Sequence, residues 1–218
     1  MSRIDLRLYA VADPAITEPG RLVDAVQEAV AGGATLVQLR DKRDDTRARV
    51  HLARTVHAAL QGRVPLIIND RVDVALVVGA DGVHLGTTDM RAADARTLLG
   101  ERAIIGVTVH HAHEARVAAR VDYAAFGPVY PTSSKDPGDP PLGPAGLANL
   151  AAAARTHLPD LPFCAIAGID AARTHETIAA GVDGIAVIGA LFRAPDVRRA
   201  AEALRTAVDD ALARKERP

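Results

Sequence analysis

Short apolar runs alternate with helical patterns along the whole chain. Each run has four to six residues and no regular polar position, which is typical of parallel strands buried on both faces. Between the runs lie amphipathic segments such as 196–214, where apolar residues recur at helical spacing. The eight predicted strands are Arg7–Ala12, Thr35–Leu39, Pro65–Ile68, Gly82–Leu85, Ala103–Val107, Tyr123–Phe126, Phe163–Ile166 and Gly184–Ile188.

Eight strand–helix units without a composition break or flexible linker predict a single (β/α)₈ TIM barrel over residues 1–218. An open doubly wound sheet is the alternative, but no glycine-rich dinucleotide fingerprint follows the first strand. The segments Gly79–Val83 and Gly181–Ile185 resemble each other and precede the fourth and eighth strands. They indicate helix-ending glycine turns at the bottom of the barrel, where residues serve stability.

Composition excludes several classes of function. An apolar content of 49% supports a sizeable core, and a net charge of −1 gives no case for nucleic acid or a membrane surface. No apolar run approaches the roughly 18 residues of a membrane span, and the N-terminus lacks a signal-peptide layout. The one cysteine, Cys164, lies in an apolar strand and is not expected to be a nucleophile. We expect a cytoplasmic protein acting on small molecules without nucleic-acid or membrane partners, with a homo-oligomer as an open alternative.

Polar residues concentrate at the predicted top of the barrel, where active sites of this fold lie. They follow the carboxyl ends of strands two to eight, and the opposite end offers no comparable set. The polar positions and their neighbouring glycines are Gln38, Arg40, Asp41, Lys42, Asn69, Asp70, Asp89, Thr108, His110, Thr132, Ser133, Ser134, Lys135, Gly168, Asp170 and Gly189.

Asp70 and Asp89 follow neighbouring strands, which lie about 4.8 Å apart in a sheet. Two carboxylates, completed by water and substrate phosphate oxygens, are a common way of holding Mg²⁺. A helix N-cap is the alternative role for Asp70, because a helical pattern begins directly after it. The pair together predicts a magnesium site.

The cations at the same end indicate an anionic ligand. Only three basic residues are lysines, against 23 arginines, and one of them, Lys135, lies in a proline-rich connection between Phe126 and Pro144. A compact ammonium suits a phosphate, although a solvated loop lysine is the alternative. Together with Arg40 and Lys42 around a metal, Lys135 predicts a site for a highly anionic group such as pyrophosphate.

Other residues predict two further contacts at this end. Gln38 and Asn69 carry donors and acceptors that suit the edge of a polar heterocycle, with a backbone-bonded core amide as the alternative for Gln38. Gly168 and Gly189 follow the last two strands, where barrel enzymes often bind a phosphate through backbone N–H groups. Two anion sites imply two phosphorylated ligands, or one ligand with a phosphate at each end.

The chain resembles the thiamine-phosphate synthase family along nearly its full length. The segments that carry the resemblance are 35–42, 65–75, 79–86 and 127–132. It implies a transferase that joins a hydroxymethylpyrimidine diphosphate to a thiazole phosphate carboxylate, giving thiamine monophosphate and pyrophosphate. It also implies a dissociative, Mg²⁺-assisted substitution that needs no protein nucleophile.

The resemblance also implies roles for individual residues. The pyrimidine diphosphate would contact Gln38, Leu39, Arg40, Asp41, Lys42, Asn69, Thr108 and Lys135, of which Arg40, Lys42, Thr108 and Lys135 would be catalytic. Asp70 and Asp89 would bind Mg²⁺. The thiazole phosphate would contact Thr132, Ser133, Ser134, Gly168, Ile188 and Gly189. The family commonly has serine at positions 108 and 189, and proline–threonine at 133–134, so this chain departs from it there.

Three other functions compete with this interpretation. A thiazole tautomerase of the same superfamily tends to carry a histidine in the Gly-Pro-Val segment and to lack the paired carboxylates, against Pro128, Asp70 and Asp89 here. A non-catalytic barrel that binds a phosphate ligand would not need a metal pair beside three cations. A phosphosugar epimerase would need two acid–base carboxylates at strand ends.

Overall fold

Eight parallel strands close into a barrel in the order of the sequence. The computed structural model describes residues 4–111, 114, 120–133 and 140–215. The strands are β1 (Leu8–Ala12), β2 (Leu36–Leu39), β3 (Leu66–Asn69), β4 (Gly82–Leu85), β5 (Ile104–Val109), β6 (Tyr123–Phe126), β7 (Phe163–Ile166) and β8 (Gly184–Val187). Pairing of Leu8 with Ile185 joins β1 to β8 and completes the ring. The predicted (β/α)₈ barrel is confirmed.

Helices surround the barrel. Those in the described part of the chain are α1 (Leu22–Ala31), α2 (Thr46–Leu60), α3 (Val72–Val78), α4 (Ala92–Leu99), α5 (Gly143–Arg155), α6 (Ala171–Ala179), α7 (Gly189–Phe192) and α8 (Val197–Lys215). The amphipathic pattern over 196–214 becomes α8, which buries Val197, Leu204 and Val208. Among these described helices, none has the length and apolar character that a membrane crossing requires.

The bounds of β4, β6 and β7 are as predicted, and those of the other five strands differ by one or two residues. β3 continues to Asn69, which pairs with His84, and β5 continues to Val109, so that Thr108 pairs with Ala125. The prediction ended these strands where apolar residues ended, whereas backbone pairing continues through polar residues. Asn69 and Thr108 are therefore held by the barrel itself and not by loops.

Alternate residues of each strand build two apolar layers. Leu8, Val37 and Leu39 belong to the layer between the strands and the helices. Tyr9 and Leu36 belong to the layer that fills the inside of the barrel. Side chains that point inward near the top therefore line the barrel's opening.

Repeated aspartates and glycines join the strands at the bottom. Asp81, Asp122 and Asp183 each precede an even-numbered strand and accept a backbone N–H from the strand before, at 2.8, 2.8 and 2.9 Å. A Cβ on Gly82 or Gly184 would lie 1.8 Å from a carbonyl oxygen of the adjacent chain segment. Gly82 and Gly184 thus permit close strand pairing. The predicted helix-ending turn is present at Gly79, which caps α3 in a left-handed conformation, whereas Ala180 and not Gly181 caps α6.

Candidate active site

A small cavity opens inside the top of the barrel, and we call it the inner cavity. Its volume is about 40 Å³. Its lining residues are Tyr9, Val11, Gln38, Arg40, Asn69, His84, Thr108, Ala125, Ile166, Ala186 and Ile188. Four residues predicted to contact the pyrimidine, Gln38, Arg40, Asn69 and Thr108, thus meet at one place.

A chain of buried hydrogen bonds crosses the floor of the inner cavity. Gln38 Nε2 donates to the Tyr9 hydroxyl, which shares a hydrogen bond of 2.7 Å with the Tyr123 hydroxyl. The Tyr123 hydroxyl lies 3.0 Å from His84 Nδ1, and His84 Nε2 lies 2.9 Å from Thr108 Oγ1. The chain links five strands and fixes the orientation of Gln38 and Thr108 at its two ends.

The two tyrosines in this series of hydrogen bonds remain protonated. Burial raises the pKa of both Tyr9 and Tyr123 above the ordinary value. Both hydroxyls can therefore donate, and the hydrogen bonds can run in one direction from Gln38 to Thr108. His84 is thus a buried histidine whose two ring nitrogens are both hydrogen-bonded.

Arg40 is held at the cavity by a carboxylate that the sequence interpretation missed. Its Nη1 donates to Oδ2 of Asp13, whose side chain is 2% exposed. Asp13 is itself fixed, because its Oδ1 accepts the Ala15 N–H at 2.8 Å. Asp13 directly follows β1, so a search for polar residues after the carboxyl end of every strand also finds Asp13.

Asp70 and Asp89 lie next to each other at the mouth. Burial and the neighbouring Asp70 carboxylate both raise the pKa of Asp89. Asp89 Oδ2 accepts the Gly86 N–H at 2.7 Å, which fixes the carboxylate in the turn after β4. Lys42 Nζ donates to Asp70 Oδ2, and the Lys42 side chain is 55% exposed. Such an exposed ion pair contributes little stability, so the ammonium remains available to an anionic ligand.

The N-cap alternative for Asp70 is wrong. Arg71 occupies the cap position before α3, and no side chain caps that helix. Asp70 has a φ of 59°, in the left-handed region that few non-glycine residues adopt. Backbone strain of this kind clusters at functional sites, and here it turns the carboxylate toward Asp89 and Lys42.

Two predicted contact residues point elsewhere. The Leu39 side chain is buried between the barrel and its helices, so only its backbone can face the mouth. Burial alone would raise the pKa of Asp41, but hydrogen bonds from Arg43 outweigh it and lower the value. Arg43 Nε donates to Asp41 Oδ1 at 2.9 Å, and this pair shapes the loop after β2. We therefore revise the predicted side-chain contacts of Leu39 and Asp41 with substrate.

A second cavity lies at the top of β6, β7 and β8, and we call it the β6–β8 cavity. Its volume is about 240 Å³. Its lining residues are Pro131, Thr132, Ser133, Ile166, Ala167, Gly168, Ile169, Asp170, Ile188, Gly189, Ala190 and Arg193. It contains the described residues that were predicted to contact the thiazole phosphate. Ile166 and Ile188 line both cavities, so the two adjoin.

Glycine is required at position 168. Its φ is 67°, and a Cβ there would lie 2.6 Å from both the Pro131 carbonyl oxygen and Tyr130 Cβ. The segment after β6 runs alongside this turn, because the Tyr130 N–H donates to the Ala167 carbonyl at 3.1 Å. Asp170 then caps α6 by accepting the Arg173 N–H at 3.0 Å. The wall of the β6–β8 cavity is thus closely packed backbone.

Two predicted residues, Ser134 and Lys135, lie outside the described residues. Their roles stay predictions from the sequence. In the described part of the chain, no group of three or more His, Cys, Asp or Glu side chains could hold a metal ion. A metal at Asp70 and Asp89 would therefore take its remaining ligands from water and substrate, as Mg²⁺ does.

Comparisons with known proteins show to which family the chain belongs. Residues 8–191 match the sequence profile of the family described as thiamine monophosphate synthase. The chain belongs to the thiamine monophosphate synthase family. It is 47% identical over 215 residues to thiamine-phosphate synthase of Agrobacterium fabrum, which covers 97% of this chain and 98% of the relative. It is 44% identical to the enzyme of Azorhizobium caulinodans, covering 94% of this chain and 96% of the relative.

A solved structure from the same family shares the fold. The thiamine phosphate pyrophosphorylase from Pyrococcus furiosus superposes with a TM-score of 0.83 at 36% identity, covering 96% of this chain and 98% of that one. Membership of this family, predicted from segments 35–42, 65–75, 79–86 and 127–132, is confirmed. The family profile spans residues 8–191, so it includes every residue that lines the inner cavity or the β6–β8 cavity except Arg193.

Proposed function

We propose that the chain condenses a hydroxymethylpyrimidine diphosphate with a thiazole phosphate carboxylate, giving thiamine monophosphate and pyrophosphate, while the carboxylate leaves as CO₂. The observation that carries the proposal is the pair of adjoining cavities on one mouth. The inner cavity offers amides and hydroxyls for a heterocycle beside cations and carboxylates. The β6–β8 cavity offers backbone and hydroxyls for a phosphate. The residues they share, Ile166 and Ile188, would lie where the two substrates meet.

Mg²⁺ is the metal that fits the mouth. The donors are carboxylate oxygens of Asp70 and Asp89, which suit a hard cation and not a thiolate- or imidazole-seeking one. Burial and the neighbouring Asp70 carboxylate raise the pKa of Asp89, and a divalent ion would relieve the repulsion between the two carboxylates. Bound there, Mg²⁺ would neutralise charge on the departing pyrophosphate.

The pyrimidine diphosphate would lie over the hydrogen-bonded floor. Gln38, Asn69 and Thr108 would bond the ring edge, because their side chains are fixed by the barrel strands. Arg40 and Lys42 would bind the diphosphate, and Lys135 would add a third cation from the connection after β6. Charge that develops on the leaving group would then be stabilised by groups already in place.

The thiazole phosphate would lie in the β6–β8 cavity. The hydroxyls of Thr132, Ser133 and Ser134 and the backbone at Gly168, Ile188 and Gly189 would hold its phosphate. This would direct the thiazole nitrogen toward the pyrimidine methylene carbon, so that attack follows departure of pyrophosphate. Holding two reactants in this orientation removes much of the entropic barrier.

The reaction would need no protein nucleophile. The single cysteine, Cys164, is fully buried, and burial raises the pKa of its thiol. Positioning and electrostatic stabilisation would thus supply catalysis. The paired carboxylates, together with relatives named as synthases, support this reaction over the tautomerase, the epimerase and the non-catalytic barrel.

The setting of the protein completes the proposal. Its substrates would be small molecules, and the net charge of −1 supports neither nucleic acid nor a membrane surface as partner. A cytoplasmic location and a homo-oligomeric state are further proposals that the site geometry neither requires nor opposes.

A product assay tests the reaction. Purified protein is mixed with both phosphorylated heterocycles and MgCl₂, and thiamine monophosphate and pyrophosphate are quantified together. We expect the two products in equal amounts, none when either heterocycle is omitted, and none after chelation until Mg²⁺ is restored. Absence of thiamine monophosphate with all components present would refute the proposed reaction, and undiminished turnover after chelation would refute the metal.

A further inference from the structure

The charged side chains around the β6–β8 cavity differ in their availability. Of its described lining residues, Arg193 is the one cation and Asp170 the one anion. The Asp170 carboxylate is engaged at the start of α6, where it accepts the Arg173 N–H at 3.0 Å. Among the described lining residues the positive charge therefore comes from Arg193, while the guanidinium of Arg173 lies behind the wall and donates to the Gly168 carbonyl at 2.6 Å.

Arg193 reaches across the mouth of the cavity. It ends α7, and its backbone N–H donates to the Gly189 carbonyl at 3.2 Å, so it lies one helical turn from Gly189. Its Nη1 donates to Ser133 Oγ at 3.0 Å, on the opposite wall. The guanidinium thus bridges the segments that follow β6 and β8.

In the part of the chain that the structure describes, most of the hydrogen-bonding capacity of the Arg193 side chain is unused. A guanidinium has five N–H donors, and the Ser133 hydroxyl takes one. Within the described ranges, Arg193 forms no ion pair with a carboxylate, unlike Arg40 or Arg43. An available planar guanidinium binds phosphate oxygens with two parallel hydrogen bonds.

We infer that Arg193 binds the phosphate of the thiazole substrate and makes the enzyme select the phosphorylated form of that substrate. Position 189, on the same wall, is a glycine and has no side chain with which to hold a phosphate. Arg193 supplies a contact from the next turn of the chain, and Ser133 holds it in place. The inference rests on the proposed function, because it takes the ligand of the β6–β8 cavity to be the thiazole phosphate.

Steady-state kinetics of Arg193→Gln test this role. We expect the KM for the thiazole phosphate to rise about 10-fold, because a charged hydrogen bond is lost at an exposed position. The KM for the pyrimidine diphosphate and the saturated rate stay unchanged. Preference for the thiazole phosphate over the dephosphorylated thiazole alcohol falls by the same factor, and Arg193→Lys retains only part of it, because an ammonium keeps the charge but not the paired hydrogen bonds.

Matched controls separate this role from general charge or folding effects. Arg199→Gln removes an exposed arginine on the neighbouring α8 and should leave both KM values unchanged. The inference is overturned if Arg193→Gln leaves the thiazole phosphate KM within about twofold of wild type, or raises both KM values equally.

A binding measurement keeps the inference independent of turnover. Calorimetric titration of the thiazole phosphate into the protein without the pyrimidine substrate should show affinity weakened about 10-fold by Arg193→Gln. A wild-type protein that binds the thiazole phosphate but forms no product would refute the proposed reaction while leaving this test intact. Equal binding by wild type and variant would overturn the role of Arg193.

Discussion

At the scale of single residues, the site is defined by like charges brought together. Asp70 adopts a left-handed backbone conformation, and Asp89 is fixed by the Gly86 N–H at 2.7 Å. The left-handed backbone of Asp70 costs free energy that a folded protein would otherwise avoid, whereas the Gly86 hydrogen bond favours the charged Asp89. Their joint effect is to place two carboxylates side by side next to Lys42. A divalent cation would convert this repulsion into attraction.

Asp89→Asn tests the metal site at this scale. We expect the Mg²⁺ concentration for half-maximal activity to rise at least ~10-fold, because one charged oxygen ligand is lost. In metal-free buffer the variant should be at least as stable as wild type, because the repulsion is gone. Activity measured against MgCl₂ concentration and thermal unfolding give the two readings.

Asp94→Asn is the matched control. Asp94 lies on α4, and its carboxylate pairs with the exposed Arg91 at 2.9 Å. It should leave the Mg²⁺ dependence as in wild type. An unchanged Mg²⁺ curve in Asp89→Asn would contradict the metal assignment.

At the scale of elements, the strands and the turns after them keep both cavities in shape. The hydrogen-bonded chain from Gln38 to Thr108 connects β1, β2, β4, β5 and β6 inside the barrel. The β6–β8 cavity depends instead on backbone packing around Gly168. Each arrangement can be disturbed by a change of one group.

Tyr123→Phe tests the hydrogen-bonded chain. It removes a hydroxyl that bonds both Tyr9 and His84, so two buried polar atoms lose a partner. We expect the free energy of unfolding to fall by about 1–3 kcal/mol, together with a higher KM for the pyrimidine diphosphate. Tyr130→Phe, which loses a bond to the exposed Glu176, should change the free energy by less than about 1 kcal/mol in the same urea titration. Equal losses in the two variants would show that the internal chain has no special role.

Gly168→Ala tests the packed turn. A methyl group there would meet backbone and Tyr130 Cβ at 2.6 Å, so the segment after β6 must move. We expect the KM for the thiazole phosphate to rise while that for the pyrimidine diphosphate changes little, and stability to fall by more than the ~1–2 kcal/mol of left-handed strain alone.

Gly62→Ala isolates that strain. Gly62 has a φ of 69°, close to the 67° of Gly168, but a methyl group added to it would have no atom within 4 Å. We expect Gly62→Ala to lose only the ~1–2 kcal/mol of stability that left-handed strain accounts for, and to leave the KM of each substrate unchanged. If Gly168→Ala matched Gly62→Ala in both measurements, packing at Gly168 would not shape the cavity.

At the scale of the whole molecule, the barrel brings residues that are distant in sequence to one opening. The sequence predicted this because apolar runs mark buried strands and the fold fixes which strand ends meet. It also located Asp70, Asp89, Gln38 and both cavity walls. The N-cap role for Asp70, the side-chain roles of Leu39 and Asp41, and the ends of β3 and β5 were not settled by apolar patterning. They depend on φ angles, side-chain direction and pairing of polar strand residues.

The missed residues show what patterning omits. Asp13 and Arg193 act through partners 27 and 60 positions away in the sequence. Asp13 directly follows β1, so its position is predictable, but its partner is not, and the contact of Arg193 with Ser133 likewise forms only in the closed fold. Tyr9 and Tyr123 lie near the amino ends of β1 and β6 and point into the barrel, so a search of the carboxyl ends of the strands passes over them.

The central claim is that one mouth holds a metal with a diphosphate on one side and a phosphate on the other. The most direct test is a crystal structure of the protein with Mn²⁺ in place of Mg²⁺, pyrophosphate and thiamine monophosphate, with the metal located by anomalous scattering. We predict Mn²⁺ between Asp70 and Asp89, pyrophosphate beside Arg40 and Lys42, and the phosphate of the product in the β6–β8 cavity. Mn²⁺ away from both aspartates, or a product phosphate outside that cavity, would contradict the account.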